Sequence, residues 1–253
     1  MTDFPAAATG GELAGKIALV TGSSKGIGRA IALRLGQAGA SVVVNYSSSA
    51  DKAQEVVAAL EAAGGRATAI QADISRPEEV ARLFQQTEEF FGGLDIVVNN
   101  AGAYLSKPLA EVTDEEFDKI FNLDARGTFF ALREAARRVR DDGRIINISS
   151  GQTTIAGPNQ SVYAGSKAAV EQFGRSLASE LGSRGITVNN VLAGIVDTES
   201  MHVPEQVKQY LIQRTPLGRL GQPNDIAEVV GFLASPAGGW LTGQNVQAGG
   251  GLA

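Results

Sequence analysis

The sequence predicts an α/β fold: a doubly wound parallel sheet of seven strands with helices on both faces. Short apolar runs alternate with longer segments of helical spacing along the chain. Several of these runs are apolar throughout, which is typical of parallel strands covered by helices on both sides. Repeated β-α-β units with right-handed crossovers then build a doubly wound sheet.

The predicted strands and helices follow one another in a regular order. The strands occupy 16–21, 41–45, 67–71, 94–99, 143–149, 186–191 and 243–247. The helices occupy 26–38, 51–63, 77–91, 114–140, 161–183 and 224–234. A further helical pattern lies around 204–213, inside a long connection.

Start and stop signals support these boundaries. Thr113 with Glu116 forms one predicted capping box, and Ser75 with Glu78 forms another, with Pro77 in the first turn. Glycines stand where three helices should end, at Gly39, Gly64 and Gly185.

The chain is predicted to form a single domain. No composition shift, linker or internal repeat divides residues 13–253, and residues 1–12 are interpreted as a loose lead-in. The connection 197–223 is too long for an ordinary βα loop and follows the C-terminal end of a strand. Because α/β sheets bind ligands at that edge, a substrate lid is favoured over a plain surface insertion.

Composition excludes several classes of protein. The net charge of −5, without a basic block, argues against nucleic acid and anionic membranes as partners. The chain has no Cys and one His, His202, so thiolate or multi-histidine metal sites are not expected. No secretory signal pattern and no apolar window of about 18–20 residues is found, and a cytoplasmic location is expected.

A glycine-rich turn follows the first predicted strand. The segment TGSSKGIG places Gly22, Gly26 and Gly28 between that strand and the first helix. Such glycines let backbone N–H groups approach a pyrophosphate at the helix N-terminus. Inside the first βαβ unit the pattern predicts a dinucleotide site, and no Gly-Lys-Ser/Thr sequence at P-loop spacing follows it.

The end of the second strand indicates which dinucleotide is bound. NAD sites place an acid there to accept a hydrogen bond from the ribose 2′-hydroxyl. This chain has Asn45, Tyr46 and Ser47 instead, and Lys25 adds a cation within the glycine turn. A 2′-phosphate is therefore favoured, which predicts NADP(H) over NAD(H).

The segment SVYAGSKAAV contains Tyr163 and Lys167, which share one face of a predicted helix. Spacing alone is equally consistent with an ordinary amphipathic edge. A free tyrosine, with a pKa of about 10, exchanges protons poorly at neutral pH, and an ammonium one helical turn away favours the phenolate. The pair can therefore form an acid catalyst with its tuning charge.

Taken together, these motifs resemble the short-chain dehydrogenase/reductase family. The resemblance covers the chain from about residue 13 onwards and implies a Rossmann-type fold. The matching landmarks, in the family's order, are TGxxxGxG at 21–28, Asp73, NNAG at 99–102, Asn122, Ser150, YxxxK at 163–167 and Thr198.

The resemblance assigns catalytic roles to four residues. Tyr163 is implied to be the general acid in ketone reduction and the base in alcohol oxidation. Lys167 is implied to supply the tuning charge and to bond the nicotinamide ribose. Ser150, favoured over Ser149 by the family spacing, is implied to hold the substrate oxygen, and Asn122 to hold a water that links Lys167 to solvent.

The remaining site residues are also implied by the family. The cofactor contacts are expected at Gly22, Ser24, Lys25, Gly26, Ile27, Gly28, Asn45, Tyr46, Ser47, Asp73, Ile74, Asn100, Ala101, Gly102, Tyr163, Lys167, Gly194, Ile195, Val196 and Thr198. The substrate pocket is expected to include Tyr104, Gln152, Ile155, Met201 and His202.

Two departures from the family pattern stand out. Ala193 replaces the usual proline before Gly194, which predicts a less rigid nicotinamide clamp. The tail sequence AGGG at 248–251 lacks the usual acid, and this change is expected to affect subunit packing, if anything.

The favoured activity is NADPH-dependent reduction of a small free ketone, or the reverse alcohol oxidation. Alternatives are a 3-oxoacyl-[acyl-carrier-protein] reductase, a sugar or polyol dehydrogenase and, more remotely, a non-catalytic NADP(H) sensor. Arg184 matches a docking arginine of the carrier-protein enzymes, and 137–140 holds three more arginines, but Asp141 and Asp142 stand where basic residues are common. With the negative net charge, poor docking of an acidic carrier is predicted. The family also implies a homotetramer.

Overall fold

The computed structural model describes residues 11–155, 157–199, 201 and 203–252 and contains one sheet of seven parallel strands. The strands are β1 (Ile17–Val20), β2 (Ser41–Tyr46), β3 (Ala67–Gln71), β4 (Ile96–Asn99), β5 (Arg144–Ser150), β6 (Thr187–Ala193) and β7 (Asn245–Ala248). Their order is β3-β2-β1-β4-β5-β6-β7. The order reverses direction between β1 and β4, the point at which doubly wound sheets bind ligands.

Eight helices connect the strands in the described part of the chain. They are α1 (Gly26–Gln37), α2 (Ala50–Ala62), α3 (Pro77–Phe91), α4 (Asp114–Ile120), α5 (Thr128–Arg138), α6 (Ser161–Leu181), α7 (Glu205–Arg214) and α8 (Pro223–Ala234). Single 3₁₀ turns occur at Leu109–Glu111, Gly151–Thr153, Gly182–Arg184 and Pro236–Gly238. The predicted helix 114–140 is interrupted, because Phe121–Gly127 forms a wider π-helical segment between α4 and α5.

The sheet is apolar on both faces because each face is covered by helices. In β1, Ala18 and Val20 pack with α1, α2 and α8, whereas Ile17 and Leu19 pack with α3, α5 and α6. All four side chains are buried. This two-sided burial is the physical reason that the strand sequences lack polar alternation.

One predicted capping box is present and the other is not. Thr113 and Glu116 cap α4 reciprocally, as expected. At α3 the N-cap is Arg76, and the Ser75 hydroxyl instead donates to the Asp73 carboxylate over 2.7 Å. The prediction for Ser75 was therefore wrong, because Ser75 lies one residue before the N-cap and its hydroxyl bonds to Asp73 and not to the first turn of α3. The glycines predicted to follow helices do adopt positive φ, at Gly39, Gly64 and Gly185.

A ladder of four asparagines, of which the first three are buried and the last is exposed, crosses the sheet from β4 to β7. Asn99, Asn147, Asn190 and Asn245 are register partners on successive strands. Their amides bond in sequence over 2.9, 2.9 and 2.8 Å. Helix α6 passes close above at Gly174, where a Cβ would lie 2.6 Å from the Asn190 amide oxygen. The ladder therefore specifies both the strand register and the approach of α6.

Replacing Asn190 by Ala is expected to lower the free energy of unfolding by about 1–3 kcal/mol, because it leaves the buried Asn147 amide N–H without its acceptor. Urea denaturation measures this loss. Asn224→Ala, at an exposed position in the first turn of α8, is the matched control and should change stability by less than about 0.5 kcal/mol. Equal effects of the two substitutions would contradict a stabilising ladder.

The long connection between β6 and α8 is anchored at its base. Val196 bridges to Gly221, and the Asp197 N–H donates to the Gly221 carbonyl over 2.8 Å. Between these anchors lies α7, which begins and ends within one residue of the predicted 204–213 and has no fully buried side chain. No helix in the described ranges is both long and apolar enough to cross a membrane.

Candidate active site

The glycine turn after β1 leaves no room for side chains. Gly22 and Gly26 have φ of 62° and 55°, the left-handed region that favours glycine. A Cβ on Gly28 would lie 2.5 Å from the Asn100 amide nitrogen and closer still to the Gly22 carbonyl oxygen. Backbone N–H groups at the start of α1 are thus open to close approach, and this cradle fits a dinucleotide pyrophosphate.

The NNAG segment after β4 is bonded directly to the glycine turn. The Asn100 side chain donates to the carbonyls of Thr21 and Gly22 over 3.0 and 3.1 Å. The Thr21 hydroxyl accepts from the backbone N–H groups of Asn100 and Ala101. Two motifs that are far apart in sequence therefore form one unit at the switch point of the sheet.

Asn45 is placed differently from the prediction. Its side chain is 1% exposed, accepts from the Gly22 N–H over 3.0 Å, and donates to the carbonyls of Ile70 and Ala72. All of these bonds are internal, so the Asn45 side chain ties the glycine turn to β2 and β3 and does not point towards a ribose. The exposed side chain at this position is Ser47, since Tyr46 is only half-exposed.

The predicted adenine contacts also divide between surface and core. Ile74 is buried and packs among residues of α3 and α5. The Asp73 carboxylate accepts from the backbone N–H of Ser75 over 2.9 Å as well as from its hydroxyl. Asp73 therefore shapes the turn into α3 and leaves Ile74 as part of the hydrophobic core.

The predicted nicotinamide clamp rests directly on the C-terminal tail. The Gly194 N–H donates to the Ala248 carbonyl over 3.0 Å, and a Cβ on Gly194 would lie 2.5 Å from the Gly249 Cα. The tail also contacts the connection 197–223, where the Leu217 N–H donates to the Gly250 carbonyl over 3.2 Å. The backbone of AGGG thus supports the predicted clamp, while the expected effect of the missing acid on subunit packing stays a prediction.

Thr198 brings the clamp loop to the glycine turn. Its methyl group lies 3.8 Å from the position a Cβ would take on Gly26. Between Gly194 and Thr198, Ile195 accepts from the Gly221 N–H over 2.9 Å and Val196 is buried. The four residues expected to form the clamp therefore lie on one anchored loop that faces the start of α1.

Tyr163 and Lys167 lie on the same face of α6, as their spacing predicts. The Lys167 ammonium is 5.9 Å from the centroid of the Tyr163 ring and donates to the Ile148 carbonyl over 3.3 Å. Lys167 is 6% exposed, so its charge acts in a poorly hydrated environment. The face is therefore a charged, buried site and not an ordinary amphipathic edge.

The structure separates the roles of two adjacent serines. The Ser149 hydroxyl is buried and donates to the Glu171 carboxylate over 2.6 Å, which makes it part of the internal network. The Ser150 hydroxyl accepts from the Gln152 N–H over 3.2 Å at the end of β5. Because this bond uses an oxygen lone pair and not the hydroxyl proton, Ser150 can still donate to a substrate oxygen.

Asp124, which the sequence analysis did not single out, lies beside Lys167. Its carboxylate is 3.4 Å from the Lys167 ammonium and accepts from the Ala103 N–H over 2.8 Å. Burial raises the pKa of the Asp124 carboxyl, and the Lys167 charge and the Ala103 N–H act in the opposite direction. The one hint of Asp124 in the sequence is its place two residues after Asn122, in the segment where the family resemblance already implied a residue that acts with Lys167.

Asn122 itself lies in the same π-helical segment, and its role in holding a water that links Lys167 to solvent stays a prediction. Asn122 and Asp124 stand two apart in the π-helical segment, and residues two apart lie on roughly opposite sides of a helix. Since Asp124 faces Lys167, Asn122 faces away from it. The structure thus places a carboxylate, and not the Asn122 amide, in contact with the Lys167 ammonium.

Of the predicted pocket residues, Tyr104 contacts Tyr163 directly. The Tyr104 ring is 5.0 Å from the Tyr163 ring, edge to face, and is 61% exposed. Gln152 follows Ser150 directly, and Ile155 and Met201 are half-buried. His202 lies outside the described residues. Within the described ranges, no group of three or more His, Asp or Glu side chains is arranged to hold a metal ion.

Comparison with known proteins confirms the fold and the family. A family model described as Enoyl-(Acyl carrier protein) reductase matches residues 22–253. The hydroxynaphthalene reductase-like protein Arp2 of Metarhizium brunneum is 47% identical, over 94% of this chain and 95% of its own. The chain belongs to the short-chain dehydrogenase/reductase family and is an oxidoreductase.

Solved structures of similar proteins contain the predicted cofactor. A short-chain dehydrogenase from Burkholderia cenocepacia in complex with NADP superimposes with a TM-score of 0.92, at 40% identity over 95% of this chain and 99% of that one. The angucycline C-6 ketoreductase LanV with bound NADP has a TM-score of 0.91, at 45% identity over 96% of this chain and 97% of that one.

Proposed function

We propose that the protein reduces a free ketone with NADPH and catalyses the reverse oxidation of the alcohol. The observation that carries this proposal is the group formed by Ser150, at the C-terminal end of β5, with Tyr163 and Lys167, in the first turns of α6. Tyr163 has a buried ammonium on its own helix face, and Ser150 retains a hydroxyl proton to donate. NADPH, when bound, supplies the hydride.

The chain's own residues would supply the proton and position the substrate. Ser150 donates a hydrogen bond to the ketone oxygen and orients it towards Tyr163. As negative charge develops on that oxygen, the Tyr163 hydroxyl gives up its proton to it. The Lys167 ammonium stabilises the phenolate that remains, and the burial of Lys167 strengthens this effect.

The preference for NADPH is supported by the charges around the glycine turn. Lys25 and Arg29 are exposed on the first turn of α1. The pKa of the Glu199 carboxyl is held below its usual range by Lys52 first, with Arg29 and Lys25 adding to the effect. Because Lys52 is paired with Glu199 over 2.7 Å, Lys25 and Arg29 are the cations proposed to meet a 2′-phosphate, and the end of β2 carries no acid to repel it.

A carrier-bound substrate is disfavoured by the state of Arg184. Its guanidinium donates to the Asp141 carboxylate over 2.8 Å and to the carbonyls of Ala136 and Val139 at the end of α5. An arginine used in this way caps a helix and is already paired. It offers little to the acidic surface of a carrier protein, so a free substrate is favoured.

A fused-ring aromatic ketone is the substrate class that we favour. The names of two similar proteins refer to hydroxynaphthalene reduction and to an angucycline ketone. In this chain the exposed ring of Tyr104 stands at the entrance to Tyr163 and can pack against a flat apolar substrate. We propose that the connection 197–223 closes over this substrate as a lid.

One steady-state screen tests the activity, the cofactor and the substrate class. The purified protein is assayed with NADPH and with NADH against a bicyclic aromatic ketone, an aliphatic ketone, a keto sugar and a carrier-bound 3-oxoacyl thioester. We expect the highest kcat/KM with NADPH and the bicyclic ketone. Efficient turnover of the carrier-bound thioester would establish the alternative reductase, and tight NADPH binding without turnover of any substrate would indicate a sensor.

We also propose a homotetramer. Phe129 on α5 is 45% exposed and stacks edge to face on Phe173 of α6, so an apolar surface joins these two helices. Trp240, which is 98% exposed, and Phe232 on α8, which is 46% exposed, are further apolar side chains that we propose for a second interface. Two separate apolar surfaces are what a closed tetramer requires. A monomeric mass in sedimentation equilibrium would contradict this assembly.

A further inference from the structure

Asp124 forms a buried ion pair at the centre of the catalytic constellation. Its side chain is fully buried, its carboxylate lies 3.4 Å from the Lys167 ammonium, and the Ser166 hydroxyl lies 3.5 Å from it. Its other oxygen accepts from the Ala103 N–H over 2.8 Å. The carboxylate thus joins α6 to the loop after β4.

Glycine at 102 makes this arrangement sterically possible. A Cβ at that position would lie 2.9 Å from the Lys167 nitrogen and 3.2 Å from an Asp124 carboxylate oxygen. The backbone therefore approaches both charges closely and leaves no room for a side chain between them. The ion pair is held between the NNAG segment, the π-helical segment and α6.

An anion at this position opposes the charge that acts on Tyr163. Lys167 favours loss of the Tyr163 proton because its ammonium stabilises a phenolate. A carboxylate in contact with that ammonium offsets part of its field, particularly where both groups are poorly hydrated. An amide at the same position would accept a hydrogen bond without offsetting the charge.

We propose that Asp124 is a positioning residue that acts through Lys167: its carboxylate holds the ammonium in place and offsets part of its charge, and so sets the pH range in which Tyr163 exchanges a proton. The titratable groups that face Tyr163 in the described residues are few. They are Lys167 from α6 and the Tyr104 phenol from the loop after β4, while Asp124, from the segment before α5, contacts Lys167.

Asp124→Asn is the decisive variant because it keeps the shape of the side chain and an oxygen for the Ala103 N–H while it removes the charge. With Lys167 unopposed, we expect the tyrosinate absorbance of Tyr163 to appear at lower pH, by about 1 pH unit. The chain has four tyrosines, so Tyr163→Phe assigns the signal by difference. Asp118→Asn, at an exposed position on α4, makes the same charge change away from the site and should cause no shift.

The kinetic profile gives a second readout, which rests on the proposed ketone reduction. Reduction requires a protonated Tyr163, so kcat/KM falls at high pH, and in Asp124→Asn this fall should move to lower pH by the same amount. The tyrosinate titration needs neither substrate nor cofactor. It therefore remains informative if no ketone is reduced, and the two proposals can fail separately.

Thermal unfolding accompanies the titration. Asp124→Asn leaves the buried Lys167 ammonium without its anionic partner, so the variant is expected to unfold at a lower temperature than the wild-type protein while it stays folded under the conditions of the titration. A purely structural role would lower the unfolding temperature without a shift of the tyrosinate signal. A variant that does not fold, an unshifted titration, or a uniform loss of kcat at every pH would overturn the proposal.

Discussion

Replacement of Tyr163 by Phe is expected to lower kcat for ketone reduction by about 10²- to 10⁴-fold, the usual contribution of a positioned general acid. The substitution removes one oxygen and leaves the ring, so the edge-to-face contact with Tyr104 at 5.0 Å persists. The fold and the glycine turn are not touched. The loss should therefore appear in kcat, with the KM for NADPH little changed.

Ser176→Ala provides the control for this variant. Ser176 is exposed on the same helix, α6, and loss of its hydroxyl should leave kcat unchanged. Steady-state kinetics across pH would measure both variants with the best ketone from the substrate screen. A Tyr163→Phe enzyme that retains the wild-type kcat would show that the proton comes from elsewhere.

Gly28→Ala is expected to weaken NADPH binding by at least about tenfold, which corresponds to about 1.4 kcal/mol. The added Cβ would lie 2.5 Å from the Asn100 amide nitrogen and 2.9 Å from the Ser23 Cα. Backbone atoms form part of this contact, so the turn itself must shift. A displaced turn no longer presents its N–H groups to the pyrophosphate, and overpacking should also destabilise the fold by about 1–3 kcal/mol.

A second glycine separates the steric effect from the effect of adding a methyl group. Gly182 begins the 3₁₀ turn after α6, and a Cβ there would meet no atom within 4 Å. Gly182→Ala should bind NADPH with wild-type affinity. Fluorescence titration of the apoprotein with NADPH measures both dissociation constants, and equal affinities would argue against the glycine turn as the pyrophosphate site.

Predictions of fold from this sequence are accurate because the relevant signals are local. Every predicted strand overlaps an observed one, and α3 begins and ends at the predicted residues, 77 and 91. Apolar runs, helical periodicity and glycines after helices act within a few residues of where they occur. Their combination into β-α-β units leaves few topologies, so the seven-stranded order follows.

Assignments of individual side chains are less accurate because they depend on which way a side chain points. Asn45 was expected beside the ribose but points inwards, where it bonds to the glycine turn and to β3. Ser149 and Ser150 are indistinguishable by type, yet only Ser149 is bonded to the Glu171 carboxylate. Such differences arise because successive side chains of a strand point to opposite faces of the sheet, and because different elements pack on each face.

By itself, the sequence determined the sheet, the dinucleotide cradle and the face of α6 that carries Tyr163 and Lys167, since periodicity and spacing along one element specify all three. Only the tertiary structure decided that Asp124, and not Asn122, meets Lys167. The wider turns between α4 and α5 set which residue of that segment faces α6. Whether two side chains on different elements meet depends on how each element is rotated about its own axis, which the sequence alone does not specify. The burial of that contact then decides how strongly the two charges affect each other's pKa.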